Sequence, residues 1–176
     1  MKRAITGLLA FSATVAALVA LLYLGGRIPG GLQEGTLRRY GTLEEVRRLP
    51  ELADLPVPSY FPETIRWPAS TIVAQTTPDP AVVMEFEKAG GREVVLVLSL
   101  SASESFRPGE RIALERVEER VEHFLGDRQA ELEVGTCLRD QPCSRIRWKE
   151  GRYFVTMTAL TEPVGLLRIA GSMVPK

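Results

Sequence analysis

Residues 129–160, QAELEVGTCLRDQPCSRIRWKEGRYFVTMTAL, decide the predicted fold because they contain three consecutive strands. The strands are QAELEVGTC, SRIRWK and RYFVTMTAL, and the last two are joined at Glu150-Gly151. In SRIRWK the polar and apolar side chains alternate, which is the period of a half-buried strand. Connections this short imply antiparallel pairing. The segment therefore predicts an antiparallel sheet.

The first connection in this segment is flanked by the two cysteines of the chain, Cys137 and Cys143. Neighbouring antiparallel strands bring such positions within the Cα separation of roughly 4.4–6.8 Å that a disulfide needs. The spacing is not the C-x-x-C of thioredoxin-like enzymes, and two cysteines with one distant histidine lack the four ligands of a zinc site. We predict a disulfide, which forms outside the cytoplasm. Two free thiols in a reducing compartment are the alternative.

Three further strands are predicted ahead of this segment, in STIVAQT, AVVMEFE and REVVLVLSLS. In AVVMEFE, the side chains of Val82, Met84 and Phe86 share one face, as expected of a half-buried strand. REVVLVLSLS is apolar on both faces, which is typical of a strand in the middle of a sheet.

Three helices are predicted in the same part of the chain. A short one lies in TLEEVRRLPEL, where Thr42 and Glu45 have the spacing of a capping box. The longest lies in PGERIALERVEERVEHFLGD, because Pro108 suits a first turn, five apolar side chains form a helical stripe and Gly126 ends it. The stripe consists of Leu114, Val117, Val121, Phe124 and Leu125. A closing helix lies in TEPVGLLRIAGSM, with Thr161 as its expected N-cap.

The N-terminal stretch MKRAITGLLAFSATVAALVALLYLGGR carries no charge between Arg3 and Arg27. Its apolar run, residues 4–24, would form a helix about 31 Å long, which matches a hydrocarbon core about 30 Å thick. A cleaved signal peptide is the alternative, although such peptides have a shorter apolar region. We therefore predict a transmembrane anchor.

Together these elements predict an α+β fold: a mostly antiparallel sheet of about six strands with helices on one face, plus one N-terminal transmembrane helix. Residues 1–3 are the expected cytoplasmic tail and residues 4–24 the anchor. Residues 25–41, which are rich in glycine, are the expected flexible tether. Residues 42–176 are the expected extracytoplasmic domain.

Composition argues against several classes of function. The 22 basic residues balance the 22 acidic ones, so no bulk field attracts nucleic acid. His123 is the only histidine, and no nucleophile or acid is spaced to work with it. The sequence has no catalytic-serine motif, no phosphate-binding glycine loop and no metalloprotease helix. We expect no catalytic residue, cofactor or metal site, and hence no enzyme.

Aromatic residues form the first candidate for binding a partner. Tyr60, Phe61 and Trp67 lie in LPVPSYFPETIRWP, whose prolines forbid a helix and favour an extended segment. Exposed aromatic side chains are typical anchors of protein interfaces. The alternative is that they pin the segment to the core of their own domain.

A row of cationic side chains forms the second candidate for binding a partner. The row consists of Arg145, Arg147 and Lys149, which share one face of the strand in SRIRWK. Such a row suits an acidic partner, an anionic polymer or lipid headgroups. The alternative is a solvated edge that acidic side chains neutralise across the strands. The acids in question are Glu131, Glu133 and Glu150.

The carboxy-terminal part, mainly residues 144–174, resembles the end of a small extracytoplasmic domain of unknown function. That domain occurs beyond the membrane helix of some bacterial anti-sigma factors and in membrane-attached proteins. The matching residues are Trp148, Glu150, Gly151, Tyr153, Leu166, Leu167, Ile169, Ala170 and Met173. VPSYFPETI is similar to the start of the same domain. The resemblance implies an antiparallel sheet with helices and no catalytic residues, and with three residues ahead of the apolar run no cytoplasmic sigma-binding domain is expected.

From these observations we expect a single-pass protein of the bacterial inner membrane whose C-terminal domain lies outside the cytoplasm. It would bind a protein partner as a non-catalytic accessory of an envelope assembly. The alternative is a carrier or sensor of an apolar ligand held between the sheet and its helices. A carrier needs an unfilled cavity there, whereas an interaction domain should be packed solid.

Overall fold

A computed structural model describes residues 37–174, except Arg107 and Glu110 and the side chains of Arg139 and Val174. The predicted tail, the predicted anchor and residues 25–36 of the predicted tether lie outside the described residues. Within the described part of the chain, no helix is long and apolar enough to cross a membrane.

The described residues form one eight-stranded antiparallel sheet, a two-stranded sheet and two short α-helices. The strands are β1 (Arg38–Tyr40), β2 (Val57–Pro58), β3 (Thr71–Gln75), β4 (Ala81–Glu87), β5 (Val94–Ser101), β6 (Leu114–Leu125), β7 (Arg128–Cys137), β8 (Gln141–Glu150), β9 (Tyr153–Ala159) and β10 (Met173–Val174). The helices are α1 (Leu43–Arg47) and α2 (Pro163–Gly171), and 3-10 turns lie at Pro50–Leu52 and Leu138–Asp140.

The large sheet has the strand order β1-β3-β4-β5-β9-β8-β7-β6, and β2 pairs with β10 in the small one. The predicted antiparallel sheet is therefore confirmed, with eight strands in place of about six. The fold is mostly β. Strand β1 belongs to the stretch that the sequence analysis assigned to the tether, and its residues pair with β3.

The predicted long helix after Pro108 is wrong, because residues 114–125 form strand β6. Strand β6 has two β-bulges, and one of them explains part of the misleading spacing. Leu114 and Val117 lie opposite Cys137 and Gly135, so a step of two residues on β7 corresponds to three on β6. A bulge inserts one extra residue on one strand. Leu114 and Val117 thereby stay on one face at a spacing of three, whereas Val121 and Phe124 pair with Leu132 and Gln129 and lie on opposite faces. The helical spacing therefore arises partly from a bulge and partly from exposed apolar side chains on both faces of the strand.

One face of the sheet, called the inner face, carries the main hydrophobic core. Its buried residues in the large sheet are Ile72, Ala74, Val82, Met84, Phe86, Leu96, Leu98, Leu100, Leu125, Ala130, Leu132, Ile146, Trp148, Tyr153, Val155, Met157 and Ala159. Leu43 and Val46 of α1 and Leu166, Ile169 and Ala170 of α2 belong to the same core. Both helices thus cover one face, as predicted. The N-cap of α2 is Glu162, one residue beyond the predicted Thr161.

A polar cluster joins the residues after α1 to the β8–β9 hairpin. The Arg152 guanidinium donates to the Asp54 carboxylate (2.7 Å) and to the carbonyl of Glu51 (2.6 Å). The Tyr153 hydroxyl lies 3.0 Å from each of these acceptors. Burial alone would raise the pKa of Asp54, but hydrogen bonds from Tyr153 and Arg152 outweigh it and hold the pKa below its ordinary value. The ionised Asp54 therefore helps to fix this segment on the sheet.

The opposite, outer face has a smaller apolar cluster beneath the connection between β5 and β6. Phe106 and Ile112 of that connection are buried against Val83, Val97 and the two cysteines. The rest of this face is mostly polar, with the buried side chains Glu85, Ser99, Glu133 and Thr158. The chain thus covers the inner face with helices and the outer face with a loop.

Gly135 provides a test of the bulged β6 ladder. A Cβ atom at Gly135 would overlap the backbone oxygen of Arg116. Gly135→Ala must therefore displace β6, and we expect the free energy of unfolding to fall by about 1–3 kcal/mol. Chemical denaturation measures this loss.

Gly171→Ala is the matched control, because an added Cβ there meets no atom within 4 Å. Equal unfolding midpoints for the two variants would contradict the close approach of β6 to β7 at Gly135.

Candidate functional site

The aromatic segment, defined here as residues 60–67, is partly core and partly surface. The Phe61 ring is half-buried, and its centroid lies 4.9 Å from that of the fully buried Phe86. Trp67 stacks at 5.0 Å from Phe61 and 6.1 Å from Phe86, yet 52% of it is exposed. Phe61 therefore attaches the segment to the core, as the alternative interpretation holds, while Trp67 offers a large exposed apolar surface.

Tyr60 is fixed from the side of α2. Its ring is 36% exposed, and the Arg168 guanidinium lies 5.1 Å from the ring centroid. The Tyr60 backbone N–H donates to the Ser172 hydroxyl (3.1 Å), and the Ser59 hydroxyl donates to the Ser172 carbonyl (2.9 Å). These contacts hold the start of the aromatic segment on the end of α2.

The predicted cationic row lies on the outer face, and its two arginines are neutralised by acids of β7. Arg145 donates from Nε to Glu133 Oε2 at 2.7 Å. Arg147 pairs with Glu131 and lies 3.4 Å from Glu133 Oε1. Lys149 differs, because its Nζ lies over the Phe154 ring, 5.5 Å from the centroid. The row is therefore an ion-pair network with one cation at its end.

Glu133 is the centre of this network. Its side chain is fully buried, and its second oxygen, Oε1, accepts from Arg120 Nη2 of β6 at 2.6 Å. Burial alone would raise the pKa of Glu133. Hydrogen bonds from Arg145 and Arg120 and the charge of Arg147 outweigh burial and hold the pKa below its ordinary value. The network links the strands β6, β7 and β8 through one ionised carboxylate.

Glu150, the third acid considered from sequence, has another role. It faces the inner side, where it accepts from Arg128 at 2.6 Å and from the Trp148 indole N–H at 3.1 Å. Arg128 also donates to the carbonyl of Met173 at 2.9 Å. This cluster therefore ties the β7 and β8 ends to the chain after α2 and leaves the cationic row to Glu131 and Glu133.

A shallow cleft of about 430 Å³ lies on the outer face next to the network. Its lining includes Ser99, Phe106, Arg147, Lys149 and Phe154. An aromatic wall beside a lysine suits a polar or anionic group. Arg147 is already paired with Glu131, so Lys149 is the main source of positive charge that the cleft offers.

A second cleft of about 320 Å³ lies at the edge of the inner core. Ile65, Val95, Leu160 and Ile169 form its apolar lining, with Lys88 and Glu93 among the other lining residues. The space between the sheet and α2 is filled, because Leu98, Met157 and Ile169 are completely buried. The cleft therefore lies beside the packed core.

The predicted disulfide is present. The Cα atoms of Cys137 and Cys143 are 5.8 Å apart, and both residues are buried in the outer apolar cluster. The bond links the end of β7 to β8 across the short turn that contains Asp140, whose backbone has a positive φ of 55°. A disulfide of this kind is typical of a domain outside the cytoplasm.

Sequence reasoning missed the exposed edge formed by β6. Val117, Val121 and Phe124, assigned to a helical stripe, are 41%, 38% and 65% exposed on this strand. A signal was available at Gly126-Asp127, since two residues of this type between apolar runs indicate a β-hairpin. His123 lies on the same strand, opposite Ala130.

Among the described residues, no group of three or more His, Cys, Asp or Glu side chains is placed to hold a metal ion. No protein-family model, curated protein or solved structure matches this chain. The surfaces described above are therefore the basis for assigning a function.

The buried carboxylate predicts how stability depends on pH. Because the pKa of Glu133 is lower in the folded protein than the 4.5 of a free glutamate, its contribution is present above pH 4.5 and is lost as pH falls through the folded pKa. Glu133→Gln should lower the free energy of unfolding at pH 7 by about 1–3 kcal/mol. Below pH 4.5, the stability of this variant should decrease less steeply with falling pH than that of the native chain. Denaturant titrations between pH 3 and pH 7 measure both effects.

Glu131→Gln is the matched control, since Glu131 is part of the same network but its side chain is 37% exposed. Glu131→Gln should lower the free energy of unfolding at pH 7 by less than Glu133→Gln does. An equal loss for the two variants would contradict the central place of Glu133.

The disulfide predicts a second change in stability. Replacing both cysteines by alanine keeps the site apolar but removes the cross-link, which should cost about 2–3 kcal/mol for a loop this short. Thermal unfolding compares this variant with the native chain, and mass analysis of thiol-blocked protein without reductant checks the bond. Two alkylated cysteines in exported protein would contradict the assignment.

Proposed function

We propose that this chain is a single-pass, membrane-anchored domain outside the cytoplasm that binds a protein partner through its aromatic segment. Its role would be that of a non-catalytic accessory in a bacterial envelope assembly. The observation that carries the proposal is the position of Trp67, which is 52% exposed while its ring stacks against Phe61 and Phe86.

An ordered, exposed tryptophan is suited to binding. Large aromatic side chains dominate the free energy of protein interfaces. Binding normally costs side-chain entropy, and contacts that already hold a ring in place reduce that cost. Phe61 and Phe86 hold the Trp67 ring, and Arg168 and Ser172 hold Tyr60 nearby in the chain. The aromatic segment is therefore preorganised.

The cationic row is less suited to the same task. Arg145 and Arg147 already donate to Glu133 and Glu131 in their own domain. An acidic partner would have to compete with these internal pairs, and exposed ion pairs contribute little free energy. The row therefore serves chiefly to stabilise the sheet.

The proposed location rests on two independent features. The buried disulfide favours an oxidising compartment. The apolar run of residues 4–24 has the length and hydrophobicity of a membrane anchor that would hold the folded domain at the bilayer surface. The resemblance of residues 144–174 to an extracytoplasmic domain agrees with the same location.

A carrier of apolar ligands ranks second. The cleft beside Ile65 and Ile169 measures about 320 Å³. This volume is at the lower limit of about 300–1,000 Å³ for small-molecule sites. The packed interior between sheet and α2 is that of an interaction domain, since a carrier for a long apolar chain would leave this space open.

Substitution of Trp67 tests the proposal. Trp67→Ala should weaken recovery of the partner about 30-fold, equivalent to about 2 kcal/mol, because it removes an interface anchor. Cross-linking in intact membranes followed by affinity capture measures recovery. A melting curve of each variant shows whether the fold is intact.

Two variants act as controls. Leu138→Ala removes another exposed apolar side chain, 50% exposed and far along the chain, and should leave recovery unchanged. Phe61→Ala should lower the melting temperature, because Phe61 packs on buried Phe86. If Trp67→Ala loses the complex only when it also unfolds, Trp67 is a structural residue and the proposed docking is wrong.

A further inference from the structure

Strand β6 forms one edge of the large sheet and is its longest strand. It pairs with β7 on one side, and no described strand pairs with it on the other. The strand runs from Leu114 to Leu125, and most of its residues are exposed. An unpaired edge of this length presents a row of backbone donors and acceptors that can pair with another strand.

The two halves of β6 differ in regularity. Register shifts occur between Leu114 and Arg116 and between Val117 and Glu119. Bulges of this kind are a common protection of sheet edges. Residues 119–125, in contrast, pair with β7 one to one. The regular half is therefore the part of the edge that can accept a further strand.

The hairpin turn sets which backbone groups face outward. Gly126 and Asp127 form a two-residue turn with a positive φ at Gly126, so its flanking residues Leu125 and Arg128 form a hydrogen-bonded pair. Hydrogen-bonded and non-hydrogen-bonded pairs alternate along an antiparallel ladder. The backbone N–H and C=O groups of Arg120 and Glu122 consequently point away from β7.

The regular half is complementary to itself in antiparallel orientation. When Val121 lies opposite Val121 of a second copy, Arg120 lies opposite Glu122 and Glu119 lies opposite His123, each pair occurring twice. Arg120 and Glu122 pair with Glu133 and Glu131 and so share the outer face. Glu119, Val121 and His123 share the inner face. Opposite charges across strands stabilise such pairing. Arg120 donates to Glu133 within its own copy, but its side chain is 56% exposed, so it can face Glu122 of the second copy while it keeps that bond.

Neighbouring registers lack this complementarity. Moving the two-fold axis by one residue in either direction places Arg120 opposite Arg120 or Glu122 opposite Glu122. Like charges directly opposite one another are destabilising. If the two-fold axis lay between two residues, Arg120 and Glu122 would lie opposite residues whose backbone N–H and C=O groups already point toward β7. The outward-facing backbone groups would then have no partners. The sequence of the edge therefore favours one register.

We propose that the domain forms a two-fold symmetric dimer in which residues 119–123 of β6 pair antiparallel with the same residues of a second copy. The two sheets become one continuous sheet across both copies. A two-fold interface of this kind uses the same surface on both subunits. The aromatic segment does not belong to the strand that forms the dimer interface. A test of the dimer is therefore independent of the protein partner proposed above.

Single-cysteine cross-linking of the full chain in membranes tests the register. In the dimer, Val121 lies opposite Val121 of the second copy as a non-hydrogen-bonded pair. The Cα separation of such a pair is about 4.5 Å, which a disulfide can span. Val121→Cys should therefore give a dimer under oxidising conditions that reductant reverses. Glu119→Cys alone should not, because its two copies would be about 13 Å apart. Glu119→Cys expressed together with His123→Cys should form mixed dimers.

A charge change tests the recognition. Glu122→Lys in the Val121→Cys chain places lysine opposite Arg120 twice, and the cross-linked fraction should fall at least about threefold. Glu63→Lys makes the same charge change at another exposed site and should leave cross-linking unchanged. Melting curves of both variants confirm that the domain is folded.

Three outcomes would overturn the proposal. Val121→Cys remaining monomeric while folded would exclude the paired edge. Glu119→Cys alone cross-linking as readily as Val121→Cys would exclude the register. Capture of Val121→Cys by a different protein, without the self-linked dimer, would assign the β6 edge to a heterologous partner.

Discussion

The structure depends on one constraint: its central strands are covered on both faces, but the described helices pack on the inner face alone. Layered folds normally bury each apolar face against another element. Here α1 and α2 cover the inner core, and the outer face is completed by the β5–β6 connection with Phe106 and Ile112. The disulfide lies in that same outer cluster. A loop therefore takes the place of a second layer, and a cross-link supports the strands beneath it.

The same constraint explains the buried charge. Beyond the area covered by Phe106 and Ile112, the outer face has no described apolar layer packed on it, and most of its side chains are polar. Glu133 is enclosed by three arginines: Arg120 and Arg145 donate the hydrogen bonds that a buried carboxylate needs, and Arg147 adds a positive charge 3.4 Å away. Cations that would have formed a binding surface are thereby committed to the stability of the sheet, and the exposed aromatic segment and the β6 edge are left for contacts with other chains.

Particular elements show how far the sequence could be interpreted. The β8–β9 hairpin followed from alternation around Glu150-Gly151, and the inner-face positions of Val82, Met84 and Phe86 followed from their period of two. The disulfide followed from two cysteines at the ends of neighbouring strands. Strand β6 did not follow, because a bulge separates Leu114 and Val117 by three residues and its other apolar side chains lie on both faces, so that together they have the spacing of a helix. The close approach of Arg116 to Gly135 is visible only when β6 and β7 are paired.

The sequence by itself determined many local features: the central strands, the β8–β9 turn, the closing helix, the cysteine pair and the candidate groups. These depend on periodicity and residue type within a few positions, which the chain records directly. Tertiary structure alone decided which face each group occupies and what lies against it. Phe61 and Trp67 are aromatic residues of one segment, yet Phe61 is half-buried and Trp67 exposed. Phe61 lies closer to buried Phe86, with ring centroids 4.9 Å apart against 6.1 Å for Trp67. Arg145 and Arg147 are neutralised because the β7–β8 register places Glu133 and Glu131 opposite them. The sequence offered Glu131, Glu133 and Glu150 as alternatives, but only the register of the paired strands decides which carboxylate meets which arginine.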